Sequence, residues 1–310
     1  MNLTLQTPVR TPITTRFRSQ ISAATVAICT RNRPALLHKC LAAVSRLDPA
    51  PRQVLVIDNS EGNSDTRKVA HDYEARYILE PAPGLCRARN RALAECDTDL
   101  IVFLDDDVMP SPDWLLHMVE PFRNERTAAS SGRVVTDEQF LSEPSHQNPR
   151  TLSNQDSHWF EIAAFGGIGL GASMAFRKPA CASEQFFDER LGRGAPFEMG
   201  DESYAFTWLL SRGLVVAYVP SAIVHQQPLA RAAIEPEARH SFSYWLLLFS
   251  KFPAQRLNLL HFLVARLRGS KLEWLRNPQD PVKTASSGWR FEFQAALYGL
   301  SLFLRTPKPR

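Results

Sequence analysis

The chain has 310 residues, 44% hydrophobic and 22% charged, which is the composition of an ordinary globular protein with ample length for one large domain or two moderate ones. Its five cysteines (Cys29, Cys40, Cys86, Cys96 and Cys181) are odd in number and contain no Cys-x-x-Cys pair, which excludes a disulfide framework and predicts reduced thiols and a cytoplasmic chain. The net charge of +4 is unevenly spread: residues 231–310 hold 13 Lys/Arg against 5 Asp/Glu, or +8, and residues 1–230 hold 23 against 27, or −4.

Residues 1–22 mix Thr, Pro and Arg without an apolar core, and read as a flexible leader rather than a secretory signal. Residues 24–28 form a first apolar strand, followed by the loop Cys29-Thr30-Arg31-Asn32-Arg33-Pro34. Residues 35–47 show helical spacing, with Leu36, Leu37, Cys40, Leu41 and Val44 on one face. A second strand over 53–57 ends in Asp58-Asn59-Ser60. A helix around 65–76 and a short strand at 76–79 precede the Pro81-Ala82-Pro83-Gly84 turn. Residues 86–95 make a basic helix carrying Arg87, Arg89 and Arg91.

The next stretch carries the most chemistry. Leu100-Ile-Val-Phe-Leu104 suits a strand buried on both faces, and it runs into Asp105-Asp106-Asp107. Continued alternation would send Asp105 and Asp107 one way and Asp106 the other. Paired carboxylates at a strand end suit Mg²⁺ or Mn²⁺, ions that keep waters and share a substrate's phosphates. Without a cation the three acids raise one another's pKa values. A solvated acidic turn is the plainer alternative.

Strands alternating with helices predict an α/β fold with a mostly parallel central sheet flanked by helices, in which ligands bind at the strands' C-terminal ends. Thr30, Arg31, Asp58 and the Asp triplet all fall at such ends. No Gly-x-Gly-x-x-Gly follows the first strand and no P-loop occurs. The glycine-rich residues 166–171 lie far downstream and read as close backbone approach to a ligand or a packed neighbour.

Taken in order, Thr-Val-Ala-Ile-Cys-Thr-Arg-Asn-Arg, Val-Ile-Asp-Asn-Ser, Pro-Gly-Leu-Cys-Arg-Ala-Arg-Asn and Phe-Leu-Asp-Asp-Asp resemble the family-2 glycosyltransferases of the GT-A fold. The likeness continues through Gly171-Ala-Ser-Met-Ala-Phe-Arg177, Phe187-Asp-Glu-Arg-Leu-Gly192, Gly200-Asp201-Glu202 and Val219-Pro220 to His225. It implies a GT-A domain over residues 23–230, with a nucleotide-sugar half (about 23–110) and an acceptor half (about 111–230). The activity implied is hexosyl or deoxyhexosyl transfer, with inversion, from a nucleoside-diphosphate sugar to a glycan, lipid-linked or small-molecule acceptor.

By the same resemblance Thr30, Arg31 and Asp58 hold the nucleoside, and Arg87, Arg89 and Asp106 face the nucleotide-sugar, with the basic helix's N-terminus turned to the diphosphate. Asp105, Asp107 and His225 form the metal set for Mn²⁺ or Mg²⁺. The pair Asp201 and Glu202 includes the general base, in reversed order relative to the family's usual Glu-Asp, so either residue fits. Ser173 stands where many relatives have Asn. Helix capping is the plain alternative for the pair, and an Asx-turn for Asp58.

In the acceptor half, residues 114–122 read as a helix, 128–135 as a strand, 137–158 as a polar loop and lid, and 215–218 as a strand. Residues 231–310 read as a basic amphipathic helical extension. Its apolar runs are too short to span a bilayer, so it suits peripheral contact with the inner face of the membrane, a homodimer contact, or packing on the catalytic domain. Two other functions compete: nucleotidyl transfer onto a sugar phosphate, which would place a Gly-rich basic loop after the first strand, and a degenerate nucleotide- or sugar-binding relative. Nucleic-acid binding by the basic tail is the weakest reading.

Overall fold

The computed structural model describes residues 24–62, 64–136, 148–182, 186–226, 235–267 and 289–307. The leader and the first half of the expected lid, residues 137–147, lie outside the described residues. Nine strands form a single sheet: β1 (Ala24–Thr30), β2 (Gln53–Asp58), β3 (Arg76–Leu79), β4 (Leu100–Asp105), β5 (Val108–Pro110), β6 (Thr127–Val135), β7 (Arg150–Leu152), β8 (Ser173–Arg177) and β9 (Val215–Gln226). Their order is β3-β2-β1-β4-β8-β6-β9-β5, with β7 also paired to β9.

The first four strands are parallel, with Thr30 level with Asp58 and Cys29 level with Asp105. Strand β8 then runs antiparallel between β4 and β6, and β6 and β9 are parallel again. One sheet edge therefore collects the C-terminal ends of β1, β2, β4, β6 and β9. Helices α1 (Pro34–Val44), α2 (Ser64–Asp72) and α4 (Trp114–Val119) cover one face. Helices α3 (Leu85–Glu95), α5 (Trp159–Ala164) and α6 (Asp201–Ser211) cover the other. The α/β architecture expected from the alternating elements is what forms, because β1 and β4 are apolar on both faces and must be covered twice.

Three departures have plain causes. Pro121 ends α4 early, and a 3₁₀ turn over Glu120–Arg123 takes its place. Strand β9 runs on through Pro220, because a register shift skips from the Gly132–Val219 pair to the Arg133–Ile223 pair. The proline thus sits in a bulge where no ladder N–H is needed. Within the polar stretch 137–158, residues 150–152 pair with β9 as a strand.

The C-terminal extension forms α7 (Glu235–Lys251), α8 (Arg256–Leu267) and α9 (Trp289–Arg305). Tyr244, Leu247, Leu248, Phe252 and Leu259 are buried in the same core as α5 and α6. Phe262 stacks on Phe165 with centroids 4.0 Å apart, and Phe303 lies over Phe197 at 6.2 Å. Packing on the catalytic domain is thus one role of this segment. No helix among the described residues is long and apolar enough to cross a membrane. All five cysteines are buried free thiols, as the sequence indicates.

Candidate active site

Strand β4 stops at Asp105, and Asp106–Asp107 form a turn into β5. Alternation therefore ends one residue too soon for the arrangement expected from an extended chain. Asp106 and Asp107 share one cation: Arg33 lies 2.7 Å from Asp106 Oδ1 and 3.5 Å from Asp107 Oδ2. Asp105, with its side chain 35% exposed, turns instead toward Arg89 Nη2 at 3.6 Å. Burial first, and then the charge of Asp107, push the Asp105 carboxyl up. Asp106 is pushed up to about 6, mainly by burial, although the Thr30 hydrogen bond and Arg33 pull the other way. The triplet is thus a crowded acidic edge, as its spacing implies.

Several expected ligand contacts are made within the protein. Thr30 donates its hydroxyl to Asp106 Oδ2 at 2.6 Å, and its carbonyl accepts from Asn59 N. It braces the triplet. Asp58 is fully buried at the end of β2, where the Tyr77 hydroxyl donates to Oδ2 at 2.8 Å. Arg31 is exposed beside Gly194, so the loop after β1 meets the loop before α6. Arg87 pairs with Glu189 at 2.9 Å, and Arg91 pairs with Glu95 within α3. The N-terminus of α3 is also occupied: Gly84 N donates to Asn59 Oδ1, and Leu85 N to the Arg193 carbonyl. Two of the N–H groups that this helix end is expected to turn to a diphosphate are therefore used within the protein.

Arg89 has a different place from the one expected. It is 2% exposed and lies under the site, with Nη1 against Asp201 Oδ2 and Nη2 donating to the Gly171 carbonyl at 3.3 Å. Its guanidinium sits 5.7 Å from the centroid of Phe187. Asn90 fixes Phe187 by a reciprocal pair, donating to its carbonyl at 2.8 Å and accepting from its N–H at 3.0 Å. Burial works against the charge of Arg89, but Asp201 and then Asp105 outweigh it and move its pKa up. One buried cation therefore joins the strand-end acids to the helix-start acids.

Asp201 and Glu202 open α6 behind Gly200, whose φ of +79° only glycine adopts easily. Asp201 is enclosed by Arg89 and by Gly192, where a Cβ would come within 3.3 Å of its carboxylate. Glu202 is half-buried and faces Gly171, where a Cβ would lie 3.6 Å from its carboxyl carbon. Burial, and then the charge of Asp201, push Glu202 up to about 8. The two acids differ in environment, so the reversed order has a physical consequence.

His225 is exposed on β9 opposite Met109, while the next residue, Gln226, donates to Asp107 Oδ1 at 3.3 Å. The fit to a divalent cation rests on the donor set: two hard carboxylates on one edge, one of them open. That matches an ion completed by substrate phosphates and water rather than an all-protein cage. Ser173 is fully buried and accepts from Trp114 Nε1 at 2.9 Å on the α4 side, away from the acidic edge. The glycine-rich stretch serves packing: a Cβ at Gly169 would meet Ser131 Oγ at 2.1 Å, and one at Gly167 would meet Ile162 at 2.8 Å.

Sequence reasoning left out Arg33, Asn59, Arg193, Gln226 and Tyr244. Arg193 is exposed, and its charge pulls the Asp105 carboxyl down. Tyr244 of α7 donates to the Ala164 carbonyl at 2.9 Å, and a Cβ on Gly200 would lie 2.6 Å from its ring. Only Arg33 carried a local signal, being a cation in the loop after the first strand.

A half-parallel sheet with acids gathered on the edge where its parallel strands end defines a transferase of the GT-A class. The model of glycosyl transferase family 2 matches residues 25–181, just over half of the chain, and the chain belongs to that family. It is 28% identical over 229 residues to the succinoglycan biosynthesis protein ExoM of Rhizobium meliloti (strain 1021), covering 70% of this chain and 71% of ExoM. It is 25% identical to an N-acetylglucosaminyltransferase of Sinorhizobium fredii (strain NBRC 101917 / NGR234), covering 65% of this chain and 52% of that one. The chain thus spans about half the length of that relative. In fold it is similar to the Pyrobaculum calidifontis mannosyltransferase PcManGT solved with GDP-Man and Mn²⁺, with a TM-score of 0.59 and 16% identity over 91% of this chain and 87% of that one.

Proposed function

We propose that the chain transfers a sugar from a nucleoside-diphosphate sugar to a hydroxyl of a growing glycan, free or lipid-linked, with a divalent cation and with inversion. The observation that carries this reading is that Asp58 and the acid triplet end neighbouring strands on one sheet edge, while Arg89 joins Asp105 of that edge to Asp201 of the acid pair opening α6. The names of the relatives, succinoglycan biosynthesis and N-acetylglucosaminyl transfer, support a polysaccharide acceptor and a hexosyl donor.

By the resemblance Asp58 is the acceptor for the base or ribose, which would have to open the contact with Tyr77 that now buries it. Asp105 and Asp107 would hold Mn²⁺ or Mg²⁺, with His225 as the third candidate ligand, and the ion would neutralise charge on the departing diphosphate. Arg193 adds a cation at the same place. Glu202 is the general base: it is the acid of the pair with an open face, and its raised pKa makes the carboxylate, once ionised, a stronger base than an ordinary one. Glu202 takes the acceptor's hydroxyl proton as that oxygen bonds to the anomeric carbon and the bond to the diphosphate oxygen breaks. Attack opposite the leaving group inverts that carbon. Asp201, held by Arg89, positions the helix start rather than accepting the proton. Nucleotidyl transfer is disfavoured, because the loop after β1 contains no glycine.

Calorimetric titration of UDP-, GDP- and dTDP-sugars, with and without Mn²⁺, tests the reading on wild type and Asp107→Ala. One nucleotide class should bind only with the ion and fail to bind the variant. Binding of none by the folded wild type would overturn the assignment.

A further inference from the structure

The large apolar side chains left exposed among the described residues all lie on α8 and α9. Leu257, Leu260 and Val264 follow i, i+3, i+7 along α8, and Leu297, Leu300 and Leu304 follow the same spacing along α9. Each set forms a single helical stripe. Leu257 is 72% exposed and Leu304 is 73% exposed. Neither helix lacks a docked face: Leu259 and Phe262 of α8 and Phe303 of α9 already pack on the core. These helices are therefore apolar on two sides, one satisfied and one open.

Charge selects what the open side meets. Residues 231–310 carry +8, and the rest of the chain carries −4. Exposed Lys251, Arg256 and Arg305 stand at or beside the helix ends. A second copy would bring +8 against +8, and nucleic acid would leave the leucines unused. An anionic lipid surface accepts both the basic charge and the apolar stripes. At 12 and 17 residues the helices are too short to cross a bilayer.

We propose that α8 and α9 seat the enzyme peripherally on an anionic membrane surface, such as the cytoplasmic leaflet, with the stripes inserted and the basic residues at the headgroups. In this arrangement the acidic body is repelled from the surface, and only the extension lies on it.

Co-sedimentation with vesicles tests this, using phosphatidylcholine alone and equal parts of phosphatidylcholine and phosphatidylglycerol, at low and high salt. The full chain should bind the anionic vesicles, and binding should weaken with salt. Leu257→Ser with Leu260→Ser, or Leu297→Ser with Leu304→Ser, should each lower partitioning at least ~10-fold with the thermal midpoint held, since these side chains are exposed. Binding unchanged in both variants would overturn the proposal. So would no binding by the wild type, whether sedimentation velocity finds it monomeric or finds a dimer that the same substitutions dissolve.

Discussion

The molecule holds two acid clusters, and they are balanced differently. At the end of β4, three carboxylates meet two arginines, Arg33 and Arg89, from separate elements. At the start of α6, two carboxylates share Arg89 alone, and Asp201 takes it. The first cluster spreads its charge over two cations, although burial still raises Asp105 and Asp106. In the second, one acid is fixed by the arginine and the other, Glu202, stays half-open with its pKa raised by burial and by its neighbour. A shared buried arginine lets one element set the electrostatics of both, which separates Asp201 from Glu202 although they are adjacent in sequence.

The sharpest way to break this division is Glu202→Gln. If Glu202 is the base, turnover should fall roughly 10²–10⁴-fold, while nucleotide binding by calorimetry stays at the wild-type value. The same loss from Asp201→Asn, with Glu202→Gln active, would reverse the roles. Next comes Arg89→Met, which leaves Asp201 buried beside no cation. Breaking a buried pair from one side should cost about 3–5 kcal/mol, read as a lower denaturant midpoint. Adding Asp201→Leu should recover part of that loss, because the orphaned charge goes with it.

The smallest effect concerns pH. Glu202 is raised from 4.5 to about 8 on folding. The folded chain then holds a proton that the unfolded chain has released, so stability falls as pH rises between those values. Glu202→Gln should flatten that slope by up to one proton, measured as the difference in unfolding free energy across the window. An unchanged slope would place the carboxyl in a wetter setting.

The strand ends were legible because apolar runs break abruptly into acids at Asp58 and Asp105, and elementary α/β geometry then puts them on one edge. Helix α6 was legible from its acidic start and apolar body. What sequence could not show were groups brought in by tertiary approach. Arg89 lies on a helix that reads as solvated, yet Phe187 and Gly171 from distant loops bury it. Gln226 reaches Asp107 because β9 continues past a proline that local rules treat as a stop. The resemblance gives the position of Ser173 along the chain but not the face of β8 its side chain takes, and that face is the one toward Trp114.

The ring of Tyr244 rests on Gly200, one residue before the acids of α6, and so gives the last third of the chain a stake in the chemistry. The boundary near residue 230, where the family likeness fades, is therefore not a line along which the enzyme divides. A gene fusion or natural deletion that discarded everything beyond it would strip the ring from the glycine turn and loosen the catalytic helix at its root.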